Sequence, residues 1–489
     1  MSLTQALSNA NSGLASSGFR ADIAASNVAN ASTPGYVRRD VITSESIVGT
    51  TGNGVTVTGI NRNQDIELSR LRRDSDASFG RANILSETYN QLNRELGEPG
   101  DDFGLFASYE SLETDLRDLA TTPESPALQN AVLGSATELV TQFNSLSETV
   151  DSLRNTADAN ISRNVEIVNT ALNRLQELNG DISAINEQSG DAVALEDERQ
   201  RLIDSIAEII PIRDVPRANG QVDIVTDGGV FLLAGNVNEL TFQPAGAIPP
   251  GASYADGTGG LSGLFVGTQD LTPGTGGNFS LGSGTLAGHF AVRDSVAPTF
   301  LAQLDSLAAD LVTRFSDDNL DTSKTAGSPG IFTDAGQPLD AANIVGVAGR
   351  LRLNAAIDPT QGGDVTRFRD GLGATTEGPT GNADLINGLL LAFTESSAAP
   401  NGSGLSGNHS STELAAGFSS IVGEARIRHD ALSASALTRS NTLYDAEIEI
   451  SGVDTDQELQ SLLLIEQSFA ANARVIQTID EMIQRLLQI

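Results

Sequence analysis

The residues best suited to catalysis or metal binding are few and scattered. The chain has three histidines, His289, His409 and His429, and no cysteine. Histidine commonly serves as a general base or a metal ligand near neutral pH, yet these three share no metal-ligand spacing with each other or with acidic residues. No nucleophile, base and orienting acid stand together as hydrolysis would require. The sequence therefore predicts a protein that is not an enzyme, with no catalytic residues, no metal and no cofactor.

A short acidic segment has part of the pattern of a calcium loop. Asp317, Asn319 and Asp321 have the spacing of its first, third and fifth positions. The sixth position, where the loop needs glycine for a sharp turn, is Thr322, and the twelfth, where it needs a bidentate acid, is Ser328. We therefore interpret these acids as solvated loop residues.

A glycine-rich turn, Gly282 to Ala287, has the G-x-G-x-x-A pattern of a dinucleotide-binding loop. Such a loop must follow a strand and open a βαβ unit. No clear strand precedes this turn, and the rest of the chain shows no alternating series of strands and helices. We interpret it as the turn that begins a helix.

Composition limits the partners of the chain. Among 489 residues, 63 are acidic and 29 basic, for a formal net charge of −34. Nucleic acid and anionic membrane surfaces would repel this charge. The N-terminus has neither the basic nor the continuous apolar segment of a cleaved signal peptide, and no run approaches the roughly 18 apolar residues of a membrane span. We therefore expect no nucleic-acid and no membrane partner.

The N-terminal segment has the spacing of a helix that packs closely against a partner. Small or apolar residues recur every seven positions on two neighbouring seams, Leu7, Leu14, Ala21 and Val28 on one and Leu3, Ala10, Ser17 and Ala24 on the other. This predicts a helix from about Ser2 to Asn30 with a small apolar face. Pro34 and Gly35 then predict a turn that ends it.

The C-terminal segment has the same spacing with larger side chains. Its seams are Leu462, Phe469, Ile476 and Ile483, and Ile465, Asn472, Ile479 and Leu486. Asn472 is polar within this seam, so it either fixes the register of pairing or faces a neighbouring backbone or water. The pattern predicts a long helix from about Asp454 that pairs with the N-terminal one. The alternative is that both helices cap a bundle.

The intervening chain alternates between β and helical patterns. Residues 36–60 read as β-rich, residues 66–210 as several helices, residues 221–233 as a hairpin and residues 291–317 as another helix, while 244–284 and 320–410 are rich in glycine. We predict a mainly α multidomain protein with a β domain. Residues 1–65 with 451–489 would form a discontinuous terminal coiled-coil and β-turn core domain. Residues 66–210 with 285–320 and 411–450 would form a helical-bundle domain, and residues 211–284 with 321–410 an outer Gly-rich β domain.

Both ends of the chain resemble a known family. Ser26 to Tyr36 reads SNVANASTPGY, a helix followed by an N-[IVL]-A-N-x-x-T-x-G-[YF] turn that contains Asn27, Asn30, Pro34, Gly35 and Tyr36. Three segments near the other end carry the second likeness, namely Ser451 to Asp454, Glu458 with Leu459, and Glu466 to Thr478. These segments resemble the N-terminal and C-terminal signatures of bacterial flagellar rod, hook and hook-associated proteins.

Interior motifs are similar to the hook-filament junction members of that family. They are Thr122 to Ala127, Leu195 to Ile203, the hairpin with Gly228 and Gly229, and Gly284 to Gly288 with Arg293 and Asp294. The resemblance covers about residues 1–320 and 410–489 and is absent from about 320–410. The chain departs from the family at Ile465, where one of two aromatic residues is common, and at Ser316, where the family's helix often closes with Asn.

The resemblance implies a structural role outside the cell. It implies export unfolded through the flagellar type III pathway, without signal cleavage, and a place in a thin layer between hook and filament where the terminal helices line a central channel. The implied partners are the hook protein, a second hook-associated junction protein, identical copies in a ring and an export chaperone. The alternatives are a hook or distal rod axial protein, or a secreted adhesin with flagellar-type ends.

Overall fold

The computed structural model describes residues 3–48, 51–188, 191–254 and 260–487. The first helix was predicted to begin at about Ser2, which lies outside the described residues. The last two residues of the chain, in the segment of the predicted C-terminal helix, also lie outside them. The fold is mainly helical with small sheets, which confirms the predicted fold class. Contacts divide the chain into two compact units. Unit 1 comprises residues 1–78, 167–240 and 436–489, and unit 2 comprises residues 79–166 and 241–435. The division into three domains stays a prediction.

Helices account for most of the described chain. Their bounds are α1 (Leu3–Asn30), α2 (Ile66–Leu96), α3 (Leu105–Thr121), α4 (Pro126–Glu187), α5 (Val193–Ile209), α6 (Thr285–Ala291), α7 (Ala297–Phe315), α8 (Val347–Arg350), α9 (Arg367–Asp370), α10 (Asp384–Thr394), α11 (Ser411–Ser451) and α12 (Thr455–Leu487). One π-helical turn, Val292–Val296, joins α6 to α7. Three of the four unit boundaries fall inside α2, α4 and α11, and the fourth lies between residues 240 and 241. None of the described helices is long and apolar enough to cross a membrane.

The strands are short apart from one hairpin. Their bounds are β1 (Arg39–Val48), β2 (Thr51–Arg62), β3 (Ile212–Pro216), β4 (Val222–Thr226), β5 (Phe231–Ala234), β6 (Asn236–Val237), β7 (Leu240–Thr241), β8 (Phe265–Val266), β9 (Gln269–Asp270), β10 (Phe332–Asp334), β11 (Leu351–Leu353), β12 (Ser397–Ala398) and β13 (Asn408–His409). The described strands form sheets of order β1-β2, β3-β4-β5-β6, β7-β8-β9, β10-β11 and β12-β13. The predicted hairpin at residues 221–233 is β4 and β5.

In unit 1, the apolar stripe of α4 is buried as its spacing predicts. Val168, Leu172, Leu175, Leu178 and Ile182 recur at three- and four-residue intervals and are buried. Asn179, in the same helix, donates from Nδ2 to the carbonyl of Val222 at 2.7 Å and accepts the amide of Val222 at 3.2 Å. The helix is therefore tied to the first residue of β4, and α4 continues through Gly180 without a break.

Unit 2 contains a large apolar core, of which only the helical members were predicted from the sequence. It includes Leu105, Leu112 and Leu116 of α3, and Leu304 and Leu311 of α7. Residues 321–410 were predicted to belong to an outer Gly-rich β domain. Members of this segment also join the core of unit 2, and they include Phe332, Val347, Leu351, Ile357, Phe368, Ile386, Leu389 and Phe393. These apolar residues are too widely spaced in sequence to show the periodicity of a helix or a strand. Only the tertiary fold brings them together.

Two buried arginines stabilise the part of unit 2 around the π-helical turn. Arg293 has no exposed side-chain surface and donates to Asp158 at 2.8 Å and to Asp294. Arg154 donates to the carbonyls of Arg293, Pro249 and Ala252, and its burial lowers its pKa below the ordinary arginine value. Arginine suits this role because its planar fork bonds several acceptors at once.

Candidate assembly site

The candidate catalytic and metal-binding residues do not form a site. His289, in α6, has its pKa lowered to about 4 by burial and by the charge of Arg163. His429 stacks on Tyr89 with ring centroids 4.7 Å apart, and His409 bonds the carbonyl of Ser406. In the described ranges, no three acidic, histidine or cysteine side chains are placed to hold a metal ion.

The calcium-loop-like segment and the glycine-rich turn both have local structural roles. Asp317 accepts the amide of Asn319, and Asp321 accepts the amides of Ser323 and Leu372, so these acids close turns. Gly284, in the glycine-rich turn, has φ of 93° and directly precedes α6. The turn therefore begins a helix, as interpreted, and no strand adjoins it among the described residues.

The terminal helices α1 and α12 pair, and small residues of α1 form the contact. Ser17 Oγ lies 3.4 Å from Ser468 Oγ. A Cβ added to Gly13 would lie 2.8 Å from Nδ2 and 2.9 Å from Oδ1 of Asn472. Between these two contacts the residue number falls from 17 to 13 along α1 and rises from 468 to 472 along α12. The two helices therefore run antiparallel. Asn472 therefore faces the backbone of α1 at Gly13.

The structure places the predicted α1 seam residues unevenly. Ala10, Ser17 and Ala24, on the adjoining seam, are buried, whereas Leu14, Ala21 and Val28 are half-buried and Leu7 is exposed. Ser17 faces α12 directly, and the burial of Ala10 and Ala24 on the same seam is consistent with a close approach of the two helices at small side chains. The assembly role of these residues stays a prediction.

The predicted α12 residues divide in the same way. Ile465 and Ile479 are buried, and Leu462, Asn472 and Ile476 are half-buried. Phe469, Ile483 and Leu486 are exposed, as are Leu459, Leu463, Leu464, Val475, Met482 and Leu487. Large apolar side chains on a helix normally pack against another element. Pairing with α1 leaves these residues of α12 uncovered.

Replacing Gly13 by Ala should leave the helix pair about 1–2 kcal/mol less stable than Gly18→Ala does, because its Cβ would overlap the end of the Asn472 side chain. Adding Asn472→Ala should remove most of this penalty. Gly18→Ala is the matched control, since no atom would lie within 4 Å of its Cβ and the helix propensity of Ala should stabilise by up to about 1 kcal/mol. Thermal unfolding followed by circular dichroism measures all four chains. A Gly13→Ala effect that is unchanged by Asn472→Ala would contradict this contact.

The signature turn after α1 is fixed by its own polar side chains. Asn27 accepts the hydroxyl of Tyr36 at 2.9 Å and the amide of Arg39 at 3.1 Å, and donates to the carbonyl of Arg39 at 2.9 Å. Asn30 donates to the carbonyl of Ser26 at 2.9 Å. Pro34 is exposed in the turn. Asn27 therefore joins the end of α1 to the start of β1.

Gly35 has two reasons to be glycine. Its φ is +73°, in the left-handed region, and a Cβ there would lie 2.6 Å from Cγ of Arg201 in α5. The signature turn is thus packed against the aliphatic part of an arginine from a distant part of the sequence.

Ion pairs attach the β1-β2 hairpin and α12 to the rest of unit 1. Asp197 of α5 is buried between Arg39 of β1, at 2.6 Å, and Arg62 of β2, at 2.7 Å. Arg38 donates to Glu458 of α12 at 2.6 Å, and its amide donates to the carbonyl of Ser451. These contacts hold both strands of the hairpin on α5 and place the start of α12 beside β1.

A second cluster lies around two adjacent arginines of α2. Arg72 pairs with Asp76, Asp204 and Glu447, and Arg73 pairs with Asp204 and Asp214. Burial alone would lower the pKa of Arg72, but the charges of Asp204, Glu447 and Asp76 raise it above its ordinary value. The cluster connects α2, α5, β3 and α11 within unit 1.

The ion pairs around Asp197 and Arg72 were not predicted from the sequence. The one available signal was composition, because Lys324 is the only lysine and the other basic residues are arginines, which suit planar pairing with carboxylates. Composition does not show which acid each arginine meets, since the partners are far apart in sequence.

Comparisons with known proteins agree with the terminal signatures. Residues 89–331 match the model of the flagellar hook-associated protein FlgK helical domain, and residues 446–489 match that of the flagellar basal body rod FlgEFG protein C-terminal region. The chain is 24% identical to flagellar hook-associated protein 1 of Escherichia coli (strain K12), over 100% of both chains. It is 22% identical to the Bacillus subtilis (strain 168) protein of that name, over 95% of this chain and 94% of the relative.

A solved structure is also similar, that of the flagellar hook junction protein FlgK from Burkholderia pseudomallei. The two chains are 18% identical with a TM-score of 0.43, over 55% of this chain and 47% of that chain. The matches in sequence, at both ends and through the helical interior, carry the assignment. The chain belongs to the flagellar hook-associated protein family.

Proposed function

We propose that this chain is the structural subunit that joins the hook of the bacterial flagellum to its filament. The observation that carries the proposal is the pairing of the two chain ends in a helix pair whose longer member keeps many large apolar side chains exposed. Such a helix needs neighbouring helices, and a tube of axial subunits supplies them. The full-length relation to hook-associated protein 1 supports the junction as its place.

In this role the chain acts through its shape. The helix pair packs with those of neighbouring subunits. The ionic contacts around Asp197 set the position of the hairpin on α5, and those around Arg72 join α2, α5 and α11. The partners are the hook protein on one side, a second hook-associated protein on the other and identical copies in the same ring. The chain would reach this place by flagellar type III export, with a chaperone, as an unfolded polypeptide without a cleaved signal.

The helical interior supports the junction over the hook or distal rod. The match to the hook-associated helical domain covers residues 89–331, most of unit 2 and part of unit 1. The family resemblance implies that a hook or distal rod protein would not have this helical bundle, which also favours the junction.

Deletion of the gene tests the proposal. Cells should make hooks without filaments and release flagellin into the medium, and the full chain supplied in trans should restore filaments. Electron microscopy and immunoblotting of the medium give the two readouts. Normal filaments on the deletion strain would overturn the proposal, and loss of the hooks as well would indicate a hook or rod subunit instead.

A further inference from the structure

We propose that Asp151 and Asp305 form a proton-operated latch in unit 2, in which one proton held by Asp151 joins helix α4 to α7 and to the turn before α8. The two carboxyl groups lie on different helices and line the same cavity. The inference concerns unit 2 alone and does not depend on the proposed function.

The cavity between the two carboxyl groups is small and largely apolar. It has a volume of about 90 Å³, and its apolar walls include Pro250, Leu301 and Val345. Of the described residues that line it, only Asp151 and Asp305 are ionisable. Two ionised carboxylates in this space would repel each other, with little water between them to screen the charge. One of the two is therefore expected to hold a proton.

The hydrogen bonds of Asp305 identify it as the ionised member. Asp305 is 4% exposed. Its Oδ2 accepts the amide of Gly346 at 2.7 Å, and its Oδ1 accepts the amide of Ala348 at 2.9 Å. A carboxylate accepts at both oxygens, whereas protonation turns one of them into a donor. Two backbone amides therefore hold Asp305 in its charged form.

Asp151 has the opposite surroundings. Its Oδ1 is buried and has no hydrogen-bond partner within the part of the chain that the structure describes. An ionised oxygen in this position would leave a charge that is buried and unpaired, which is costly. A proton on Asp151 removes that charge and supplies a donor, which bonds Asp305 across the cavity either directly or through a water molecule.

Two nearby arginines do not cancel the effect of burial. Burial raises the pKa of Asp151 and of Asp305, while the charge of Arg154 lowers the pKa of the first and that of Arg350 lowers the pKa of the second. Arg154 donates to three backbone carbonyls, and Arg350 pairs with Asp334 at 2.8 Å. Because both arginines bond other groups, the folded chain binds the shared proton more tightly than the unfolded chain does.

The pH dependence of the latch follows from this difference in pKa. Below the ordinary aspartate pKa of about 3.9, folded and unfolded chains both hold the proton, so the contribution of the latch to stability is fully present. As the pH rises from there to the raised pKa of the folded pair, only the folded chain holds the proton, and this contribution is lost. Above the raised pKa the two carboxylates repel each other, which loosens α4 from the turn before α8.

Asp151→Asn tests the latch, because the amide of Asn supplies the donor and has no proton to lose in this range. Urea unfolding of the full chain at a series of pH values, with hydrogen exchange of unit 2 peptides as the readout, compares the variant with the unmodified chain. The unfolding constant of the unmodified chain, relative to that of the variant, should rise by up to tenfold for each pH unit between about pH 4 and the raised pKa, and then level off.

Asp118→Asn, the same change on an exposed residue of α3, is the matched control. Its ratio to the unmodified chain should be constant above about pH 5. A constant ratio for Asp151→Asn as well would overturn the proposal.

Asp305→Asn distinguishes the two members of the latch. Asn has one acceptor oxygen for the amides of Gly346 and Ala348, so one amide loses its partner, and the unfolding constant should be roughly tenfold higher than that of Asp151→Asn. Better tolerance of Asp305→Asn than of Asp151→Asn would overturn the assignment of the proton. Calcium chloride should stabilise the unmodified chain no more than Asp151→Asn. A greater stabilisation would show a cation between two ionised carboxylates, and would likewise overturn the proposal.

Discussion

Replacing Ile479 by Asp should prevent assembly of the chain while unit 2 stays folded. Ile479 is 2% exposed, on the same face of α12 as Asn472, which meets Gly13 of α1. An aspartate there would be an unpaired buried carboxylate, which should destabilise the helix pair by at least about 3 kcal/mol. The hydrophobic core of unit 2 contains no residue of α12. We therefore expect complete loss of filaments in the complementation assay.

The measurement needs a separate readout for each unit. Limited proteolysis of the purified variant should cleave the terminal segments early and leave a resistant fragment derived from residues 79–435. Gln467→Asp is the control, since Gln467 is exposed on the same helix. It should assemble as the unmodified chain does. Incorporation of the Ile479→Asp chain at the normal level would refute the role of this helix pair in assembly.

Replacing Asp197 by Ala should destabilise unit 1 by about 3–5 kcal/mol. The Asp197 side chain is 5% exposed and accepts from Arg39 and from Arg62, both largely buried. Its removal leaves Arg39 without a counter-charge and Arg62 with only the longer pair to Glu196, at 3.9 Å. Breaking one side of a buried ion pair is far more costly than the pair itself contributes. The hairpin should then lose its fixed position on α5, with weaker assembly as the result.

The neighbouring residue supplies a matched control. Glu198 pairs with Arg174 where both side chains are substantially exposed, so Glu198→Ala should change stability by no more than about 1 kcal/mol. Urea unfolding monitored by circular dichroism compares the two variants. Similar effects of both substitutions would show that the pairs around Asp197 contribute no more than surface ion pairs.

The local elements were predictable because their signals lie within single helices and turns. Heptad spacing predicted α1 and α12, Pro34 and Gly35 predicted the turn after Asn30, and the strand pattern on both sides of Gly228 predicted the β4-β5 hairpin. The contents of residues 320–410 were not predictable, since side chains such as Phe332, Phe368 and Phe393 join the core of unit 2 from short, widely separated segments.

The sequence by itself determined that the two chain ends are helices suited to pairing, with small side chains on the contact face of α1 and large ones on that of α12. The signatures at these two ends also indicated the family. Only the tertiary structure decided which residues form the contact. Ala10, Ser17 and Ala24 are buried, whereas Leu7 is exposed and Leu14 half-buried, because close packing of a helix favours the smallest side chains at the contact. It also brought Asp197 to Arg39 and Arg62 across more than a hundred residues of chain. Heptad spacing reports which face of a helix is apolar, whereas the register between two helices depends on contacts that no single segment contains.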